Sequence, residues 1–188
     1  MNRTRILVPL VVAAAALGVV APAAADASPS CSTDWGSRPK AAHPTEPGDD
    51  LVSDVRAGRH ACFDRVVVDV AEVSGFDAWS VRYVPAVRQE GSGAVVPLRG
   101  GADLEVALGA RGYDDEGHAT YSPARPREAV DVRGYTTLRQ VAWLGSSEGR
   151  SGIGIGTRAR LPFRVTVLPG GSTHRERLVV DVAHRWQG

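Results

Sequence analysis

The chain has 188 residues, which is enough for one domain with a sizeable hydrophobic core. It carries 22 Lys and Arg residues against 21 Asp and Glu residues, so its formal net charge is +1. This balance excludes the broad basic field that draws a protein to nucleic acid or to anionic lipid, and we expect no nucleic-acid partner.

The first 25 residues have the layout of a secretory signal peptide. Arg3 and Arg5 form a short basic region, residues 6–20 are apolar, and a run of small residues follows in an Ala-x-Ala arrangement. From that arrangement we expect cleavage after Ala25, with Ala27 as the alternative site. An uncleaved membrane anchor is the other interpretation, which the apolar run disfavours because it is too short for a membrane-spanning helix. The mature protein is then secreted, in the medium or at the cell wall, without membrane insertion. Loss of the two arginines leaves 20 basic against 21 acidic residues, a net charge of −1.

The two cysteines, Cys31 and Cys62, are predicted to form one disulfide bond. An even pair of cysteines in an exported chain is typical of a disulfide. Two cysteines 31 positions apart, with no paired histidines, do not supply the ligands of a zinc site. The loop-entropy model predicts that such a bond stabilises the fold by roughly 3–4 kcal/mol.

Residues 26–50 are predicted to form an arm, because they are rich in Pro, Ser, Ala and Gly and lack apolar periodicity. Trp35 is the exception in this segment. A Trp side chain is usually largely buried, so we expect Trp35 to pack onto the domain once Cys31 is tied to Cys62. An exposed ligand platform is the alternative role for this side chain.

Residues 51–185 are predicted to form one all-β domain, either a small β-sandwich or a partly open barrel with little helix. Short alternating segments separated by turns are typical of this class, and no segment shows a sustained apolar period of 3.6. The first strand is predicted over residues 51–55, with a turn at residues 57–60. The clearest alternation places these side chains on inward faces: Trp79, Val81, Tyr83, Leu104, Val106 and Leu108.

Residues 65–70 and 177–182 share the pattern Arg-x-Val-Val-Asp-Val and are predicted to be central strands. Both segments are dense in β-branched residues, and the first is largely apolar on both faces, which indicates burial on both sides. If the two strands are neighbours, the Arg of one can pair with the Asp of the other. Such pairs contribute to register more than to stability.

Residues 111–134 form the longest irregular stretch, and a long loop in a compact domain is either functional or mobile. Tyr113, Tyr121 and Tyr135 lie in or beside it. Aromatic side chains stack on sugars and anchor interfaces, so these three tyrosines form the candidate binding surface. The alternative is that they are ordinary loop aromatics packed on the domain.

No catalytic, cofactor-binding or metal-binding constellation is apparent. Residues 145–149 match the Gly-x-Ser-x-Gly pattern of hydrolases, but a nucleophilic Ser147 needs a strand, a sharp turn and a helix, and the segment that follows is rich in glycine. Residues 114–116 are three adjacent carboxylates without the spacing of a calcium loop, so we interpret them as a solvated acidic loop.

Three alternating glycines, at positions 152, 154 and 156, lack the spacing and the βαβ setting of a phosphate-binding loop. Glycines in a strand more often mark a bulge or a close approach of backbone, and we predict that role here. The five histidines are scattered without ligand spacing, and His60 is interpreted as a turn residue.

Several of these segments together resemble the AMIN-like domain family of secreted actinobacterial proteins, over roughly residues 35–183. The run from Gly58-Arg59-His60 to Phe63-Asp64-Arg65 is the most specific part of the resemblance. The other matching pieces are Trp35-Gly36-Ser37, Asp54-Val55-Arg56, Tyr83-Val84, Ile153-Gly154-Ile155-Gly156, Phe163-Arg164-Val165 and Arg177-Leu178-Val179-Val180-Asp181-Val182.

The resemblance implies a recognition module and not a catalyst, because the parent AMIN domains are small β-sandwiches that target envelope proteins, including cell-wall amidases, to peptidoglycan or to partners. We therefore expect a secreted, non-catalytic module without cofactors that binds cell-wall glycan, such as peptidoglycan, or an envelope protein. A small secreted hydrolase, a protein inhibitor and a structural envelope protein are the alternatives.

Overall fold

A computed structural model describes residues 31, 34–43, 48–71, 76–170 and 175–186. The predicted signal peptide, with its cleavage site, and part of the predicted arm lie outside the described residues. Among the residues that are described, no helix is both long enough and apolar enough to cross a membrane.

The molecule is an all-β sandwich, as predicted, and neither of its two main antiparallel sheets closes into a barrel. The five-stranded sheet has the order β1-β4-β7-β9-β8, the four-stranded sheet has the order β10-β11-β3-β2, and β5 and β6 form a separate ribbon. The strands are β1 (Lys40–Ala41), β2 (Leu51–Arg59), β3 (Phe63–Ala71), β4 (Trp79–Val84), β5 (Val87–Arg88), β6 (Val95–Val96), β7 (Ala102–Leu108), β8 (Leu138–Ser147), β9 (Arg150–Thr157), β10 (Phe163–Pro169) and β11 (Arg175–Ala183). A single 3₁₀ turn, Pro126–Glu128, is the one helical element of the described ranges.

The hydrophobic core lies between the two sheets and is built by alternating side chains of their central strands. Fully buried residues of β3 and β11 face fully buried residues of β7 and β9. Full burial of an aliphatic side chain stabilises a fold by about 1.5–3 kcal/mol, so this layer dominates the favourable energy. Its central members are Val66, Val68, Val70, Leu178, Val180, Val182, Leu104, Val106, Leu108, Ile153 and Ile155.

The two Arg-x-Val-Val-Asp-Val segments are neighbouring antiparallel strands, β3 and β11, so the condition for charge pairing between them is met. Val67 lies opposite Val179, so the two copies are related by a local twofold axis through that pair. This register places Arg65 opposite Asp181, and its guanidinium donates to the two carboxylate oxygens at 2.6 and 2.9 Å. Arg164 of β10 also donates to Asp181 at 2.8 Å. The carboxylate is 2% exposed and is therefore charge-paired within the sheet.

The second charge pair of the repeat differs from the expectation. Arg177 lies opposite Asp69 in the ladder, but Asp69 forms its ion pair with Arg56 of β2. Arg56 also lies 3.7 Å from Asp54. The neighbouring strand β2 therefore competes for the carboxylate, which a comparison of the two repeats alone does not reveal.

Strand β2 is longer than predicted, and the predicted turn at residues 57–60 is wrong for residues 57–59. Their pairing with β3 continues the ladder to the end of the strand, since neighbouring-strand contacts override the weak strand propensity of Gly58. The chain turns at residues 60–62 instead, where the His60 amide donates to the Phe63 carbonyl at 3.0 Å.

The segment before the domain is fastened to the sandwich. Cys31 and Cys62 form the predicted disulfide, with their Cα atoms 5.4 Å apart. Trp35 packs edge-on against Phe63 with ring centroids 5.6 Å apart, and the Arg164 guanidinium lies 4.5 Å from the Trp35 ring. The predicted packing of Trp35 on the domain is confirmed, and further along the same segment β1 adds an edge strand to the five-stranded sheet.

Candidate functional site

A cleft of about 510 Å³ opens where the long irregular stretch returns to the sheet at the start of β8. One wall comes from the segment that carries the 3₁₀ turn, and another comes from the loop that precedes β7. The lining residues are Arg99, Arg125, Glu128, Asp131, Val132, Arg133, Gly134, Tyr135, Leu138 and Arg139. Four of these ten side chains are arginines, which distinguishes the cleft from the near-neutral chain as a whole.

One buried glutamine holds two walls of the cleft together. Gln140 of β8 is 3% exposed. Its side-chain nitrogen donates to the Arg127 carbonyl at 2.7 Å, and its side-chain oxygen accepts from the Arg99 amide at 2.8 Å. The backbone bond from Ala129 to Val141, at 2.8 Å, adds a second tie between the 3₁₀ segment and β8. The spacing of the two walls is therefore set by hydrogen bonds within the fold.

A buried carboxylate anchors the floor of the cleft. Asp64 of β3 is fully buried, and its Oδ2 accepts the amides of Thr137 and Leu138 at 2.5 and 3.1 Å. Its other oxygen lies 3.2 Å from Nε2 of His184. Asp64 therefore links the four-stranded sheet to the start of β8 in the other sheet, where Thr137 follows Tyr135 by two residues in the chain.

Two of the four cleft arginines are engaged by carboxylates. Arg99 forms a bidentate pair with Glu128, and Arg133 forms one with Asp131. The hydrogen bonds from Arg133 lower the pKa of Asp131 to about 2, and the hydrogen bond from Arg99 lowers the pKa of Glu128. Both carboxylates are thus ionised at neutral pH, and both pairs are at least partly exposed to solvent.

The other two cleft arginines have no such partner. Among the described residues, Arg125 forms no ion pair with a carboxylate. The Arg139 guanidinium donates to the backbone carbonyls of Tyr135, Thr136 and Leu138 at 3.0–3.4 Å, which leaves its charge uncompensated. Four guanidinium groups and two carboxylates give the lining a net charge of +2.

The three tyrosines of the predicted binding surface lie at different points along β8. Tyr135 lines the cleft, with the Arg59 guanidinium 5.7 Å from its ring. Tyr121 packs edge-on against Trp143 in the middle of the strand at 5.0 Å, and burial raises the pKa of its phenol to about 12. The Tyr113 hydroxyl accepts from the Gly149 amide at 3.3 Å, beyond the far end of β8. Of the three, only Tyr135 lines the cleft with its arginines, and a binding role for the three stays a prediction.

The Gly-x-Ser-x-Gly segment forms a β-hairpin turn in place of the nucleophile elbow of a hydrolase. Ser147 pairs with Arg150 across a two-residue turn, in which Glu148 has φ 51° and Gly149 has φ 77°. Two successive positive φ angles are typical of a type I′ hairpin. The chain continues into β9 and not into a helix, so the backbone does not present Ser147 as a nucleophile elbow would.

The acidic loop after β7 divides its carboxylates between different partners. Ligand atoms of Asp114, Glu116 and His118 lie within 4.8 Å of one another, and Asp114 accepts the His118 amide at 2.7 Å. Asp115 turns away and pairs with Arg111 at 2.7 Å. The His118 side chain is 78% exposed, so the group lies open to solvent.

Sequence reasoning missed the cleft arginines, which the fold brings together from two distant segments. A local signal was present, because four arginines occur between positions 125 and 139. Glu128 and Asp131 lie between these arginines in the sequence, so the net charge of the segment does not reveal how many arginines it contains. Arg99 joins them only through tertiary structure, since it precedes the cluster by more than 20 positions.

Comparison with known proteins gives one match. The family model of the AMIN-like domain matches residues 50–184, which is more than half of the chain and includes the whole cleft. No curated protein and no solved structure matches the chain. The match covers both main sheets apart from β1.

Proposed function

Because the chain belongs to the AMIN-like domain family, we propose that it is a secreted, non-catalytic module of the cell envelope that binds cell-wall glycan or an envelope protein. AMIN-like domains are binding modules associated with envelope targeting. In this proposal residues 51–185 form the binding module, residues 26–50 form its arm, and residues 1–25 are removed on export.

Two observations support export. The first 25 residues have the composition of a signal peptide. The disulfide between Cys31 and Cys62 belongs to an oxidising compartment, since the cytosol keeps thiols reduced. Amino-terminal sequencing of the protein from the culture medium tests this, with a new terminus expected at Asp26 or Ser28. An intact Met1 terminus on protein that stays inside the cell would contradict it.

The observation that carries the binding role is the preformed cleft with Tyr135 on its wall. Its volume lies within the range of about 300–1,000 Å³ that is typical of ligand sites. Arginine and tyrosine are the residue types that most often dominate recognition surfaces, and a tyrosine ring also offers a stacking face to a sugar. Because Gln140 and Asp64 set the walls and the floor, a ligand would not need to order them on binding.

Sedimentation with purified cell wall, run beside a panel of hydrolase substrates, tests the proposal. We expect the protein to be retained on the wall without turnover of any substrate. The matched control for Tyr135→Ala is Trp186→Ala, which removes an aromatic side chain that is 53% exposed and lies outside the cleft lining. Retention should fall for the first variant and stay unchanged for the second.

The hydrolase alternative gains no support from the hairpin geometry of Ser147. It remains open to the same experiment. Turnover that Ser147→Ala abolishes would replace the binding proposal with an enzymatic one. Absence of retention on any wall fraction would instead favour a protein partner, such as the target of an inhibitor.

A further inference from the structure

We propose, resting on the binding role above, that the arginine cleft is an oxyanion site and takes the phosphate or carboxylate groups of an anionic wall polymer. Its two binding groups are Arg125 and Arg139. Arg99 and Arg133 are instead paired with Glu128 and Asp131.

The charge arrangement points to an anion. Arg125 acts electrostatically on both Glu128 and Asp131, where it contributes to lowering the pKa of each carboxyl group. Arg125 lines the cleft together with both carboxylates, and its charge acts on each of them without a direct ion pair to either. Arg139 adds a second charge that is hydrogen-bonded only to carbonyl oxygens. A cation would be repelled by this lining, and a neutral ligand would leave both charges uncompensated.

The chemistry of the side chains narrows the ligand to an oxyanion. A guanidinium group presents a planar fork of donors that matches the oxygen spacing of phosphate and carboxylate. The cleft already contains two examples of this geometry, since Glu128 binds Arg99 and Asp131 binds Arg133 bidentately. A ligand oxyanion would make the same contact with Arg125 that these two carboxylates make with their own arginines.

The two internal ion pairs predict that loss of a cleft carboxylate strengthens oxyanion binding, whereas loss of a cleft arginine weakens it. Glu128→Gln removes a carboxylate that competes with the ligand and releases the Arg99 fork, while Arg99 keeps its bond to the Arg139 carbonyl at 3.0 Å. This variant should bind an oxyanion more tightly than the unaltered protein. A cleft with a purely structural role predicts no gain from the same change.

Titration of the purified protein with inorganic phosphate at low ionic strength, followed by NMR, measures the site directly. We expect Arg125→Gln to weaken phosphate binding about tenfold or more, because a hydrogen bond to a charged group is lost. Glu128→Gln should strengthen it several-fold. The matched control is Arg127→Gln, an exposed arginine two positions away whose side chain is outside the lining. Added sodium chloride should weaken binding, since exposed charges are screened.

Retention of the protein is compared on untreated cell walls and on walls from which hydrofluoric acid has removed the phosphodiester-linked polymers. The comparison identifies the source of the oxyanion. Retention that is lost on treated walls assigns the site to phosphate. Retention that survives treatment but is lost in Arg125→Gln assigns it to carboxylates of the remaining wall.

Two results separate failure of this inference from failure of the binding role. The first result is retention on both walls that neither Arg125→Gln nor Glu128→Gln changes, together with no NMR shifts on addition of phosphate. It overturns the oxyanion site and leaves the binding role intact. Absence of retention on either wall, with phosphate still titrating in the cleft, overturns the wall-binding role and leaves the oxyanion site.

Discussion

Asp64 and Thr137 are 73 positions apart in the chain, yet Oδ2 of Asp64 accepts the Thr137 amide at 2.5 Å inside the protein. The bond joins β3 of one sheet to the start of β8 in the other, and it fixes the backbone that carries Tyr135 and Arg139 into the cleft. The Phe-Asp-Arg segment that is most specific to the family resemblance thus has a structural task next to the candidate site.

Replacement of Asp64 should destabilise the sandwich. Asp64→Ala leaves the buried amides of Thr137 and Leu138 without an acceptor, and each unsatisfied buried group costs about 1–3 kcal/mol. We expect a loss of roughly 3 kcal/mol in urea unfolding. Asp64→Asn is the matched control, since it keeps an acceptor oxygen and should lose less. Equal midpoints for the unaltered protein and Asp64→Ala would contradict the anchoring role.

The stability of the protein should fall as pH rises from about 4 to about 6, because Asp50 ionises in the folded state over this range. Desolvation, together with the charges of Glu176, Asp49 and Asp77, raises the pKa of Asp50 to about 6. An unfolded Asp has a pKa of about 3.9, so the folded state holds the extra proton in this window and loses that advantage as it ionises.

Asp50→Asn tests this by removing the ionisation. We expect the variant to match the unaltered protein at pH 4 and to be more stable by about 1 kcal/mol at pH 7.5, because partial solvent screening reduces the full effect. Urea midpoints at four pH values measure the difference. Asp49→Asn, at a fully exposed neighbour, is the control and should show a smaller change. A pH-independent difference for Asp50→Asn would exclude the mechanism.

The disulfide should stabilise the fold and hold Trp35 in place. We expect the double variant Cys31→Ser and Cys62→Ser to lose about 3 kcal/mol, in line with the loop-entropy model. Trp35 should also become more accessible to acrylamide, which tryptophan fluorescence reports, and Trp35→Phe identifies its share of the signal. Reduction of the unaltered protein should reproduce the loss. A thiol assay that finds two free thiols in the secreted protein would disprove the bond.

Substitution of Gly156 should distort the cleft by displacing the segment that carries Arg99. A Cβ atom added there would lie 2.1 Å from the Arg99 carbonyl oxygen, so Gly156→Ala must displace the segment that carries Arg99. We expect a loss of about 1–3 kcal/mol from overpacking and weaker phosphate binding. Gly58→Ala is the control, because its Cβ atom would meet only His60 Nε2 at 3.7 Å. A fully stable Gly156→Ala protein would refute the close approach.

Substitutions of the three tyrosines should differ in their effects on wall retention and on stability. Tyr135→Ala should reduce retention on cell wall while the fold survives thermal melting. Tyr121→Ala should instead lower stability by about 2 kcal/mol, since this ring packs on Trp143. Tyr113→Ala should have little effect on either measurement. Loss of wall retention in Tyr113→Ala, with Tyr135→Ala unaffected, would move the binding surface to the other end of β8.

The strand pattern could be predicted from the residues alone. Alternation of period two assigns Leu104, Val106 and Leu108 to one face regardless of which strands lie beside them. The repeated Arg-x-Val-Val-Asp-Val pattern indicates a charge pairing between the copies only on the condition that the two strands are neighbours. The structure supplies that condition, and the antiparallel direction of the strands places Arg65 opposite Asp181. The bulges in β8 agree with the irregular spacing of its apolar residues.

The end of β2 could not be predicted from local preference. Ala57 and Gly58 favour a turn when they are considered by themselves, but their pairing with β3 satisfies backbone groups that a turn would leave to water. Of the alternating glycines of β9, Gly156 is a site of close backbone approach, as predicted, whereas the other two lie against side chains. The Arg99 carbonyl over Gly156 comes from a segment that is distant in sequence.

The sequence by itself determined the all-β class, the inward faces of its strands and the disulfide. Each depends on periodicity or on counting. Only the tertiary structure decided the order of strands in the sheets and the existence of the cleft. Arg99 lines the same cleft as Arg125 and Arg139, and the bonds of Gln140 and Asp64 hold the segments that carry them. Such contacts between distant segments leave no periodic pattern in a single sequence.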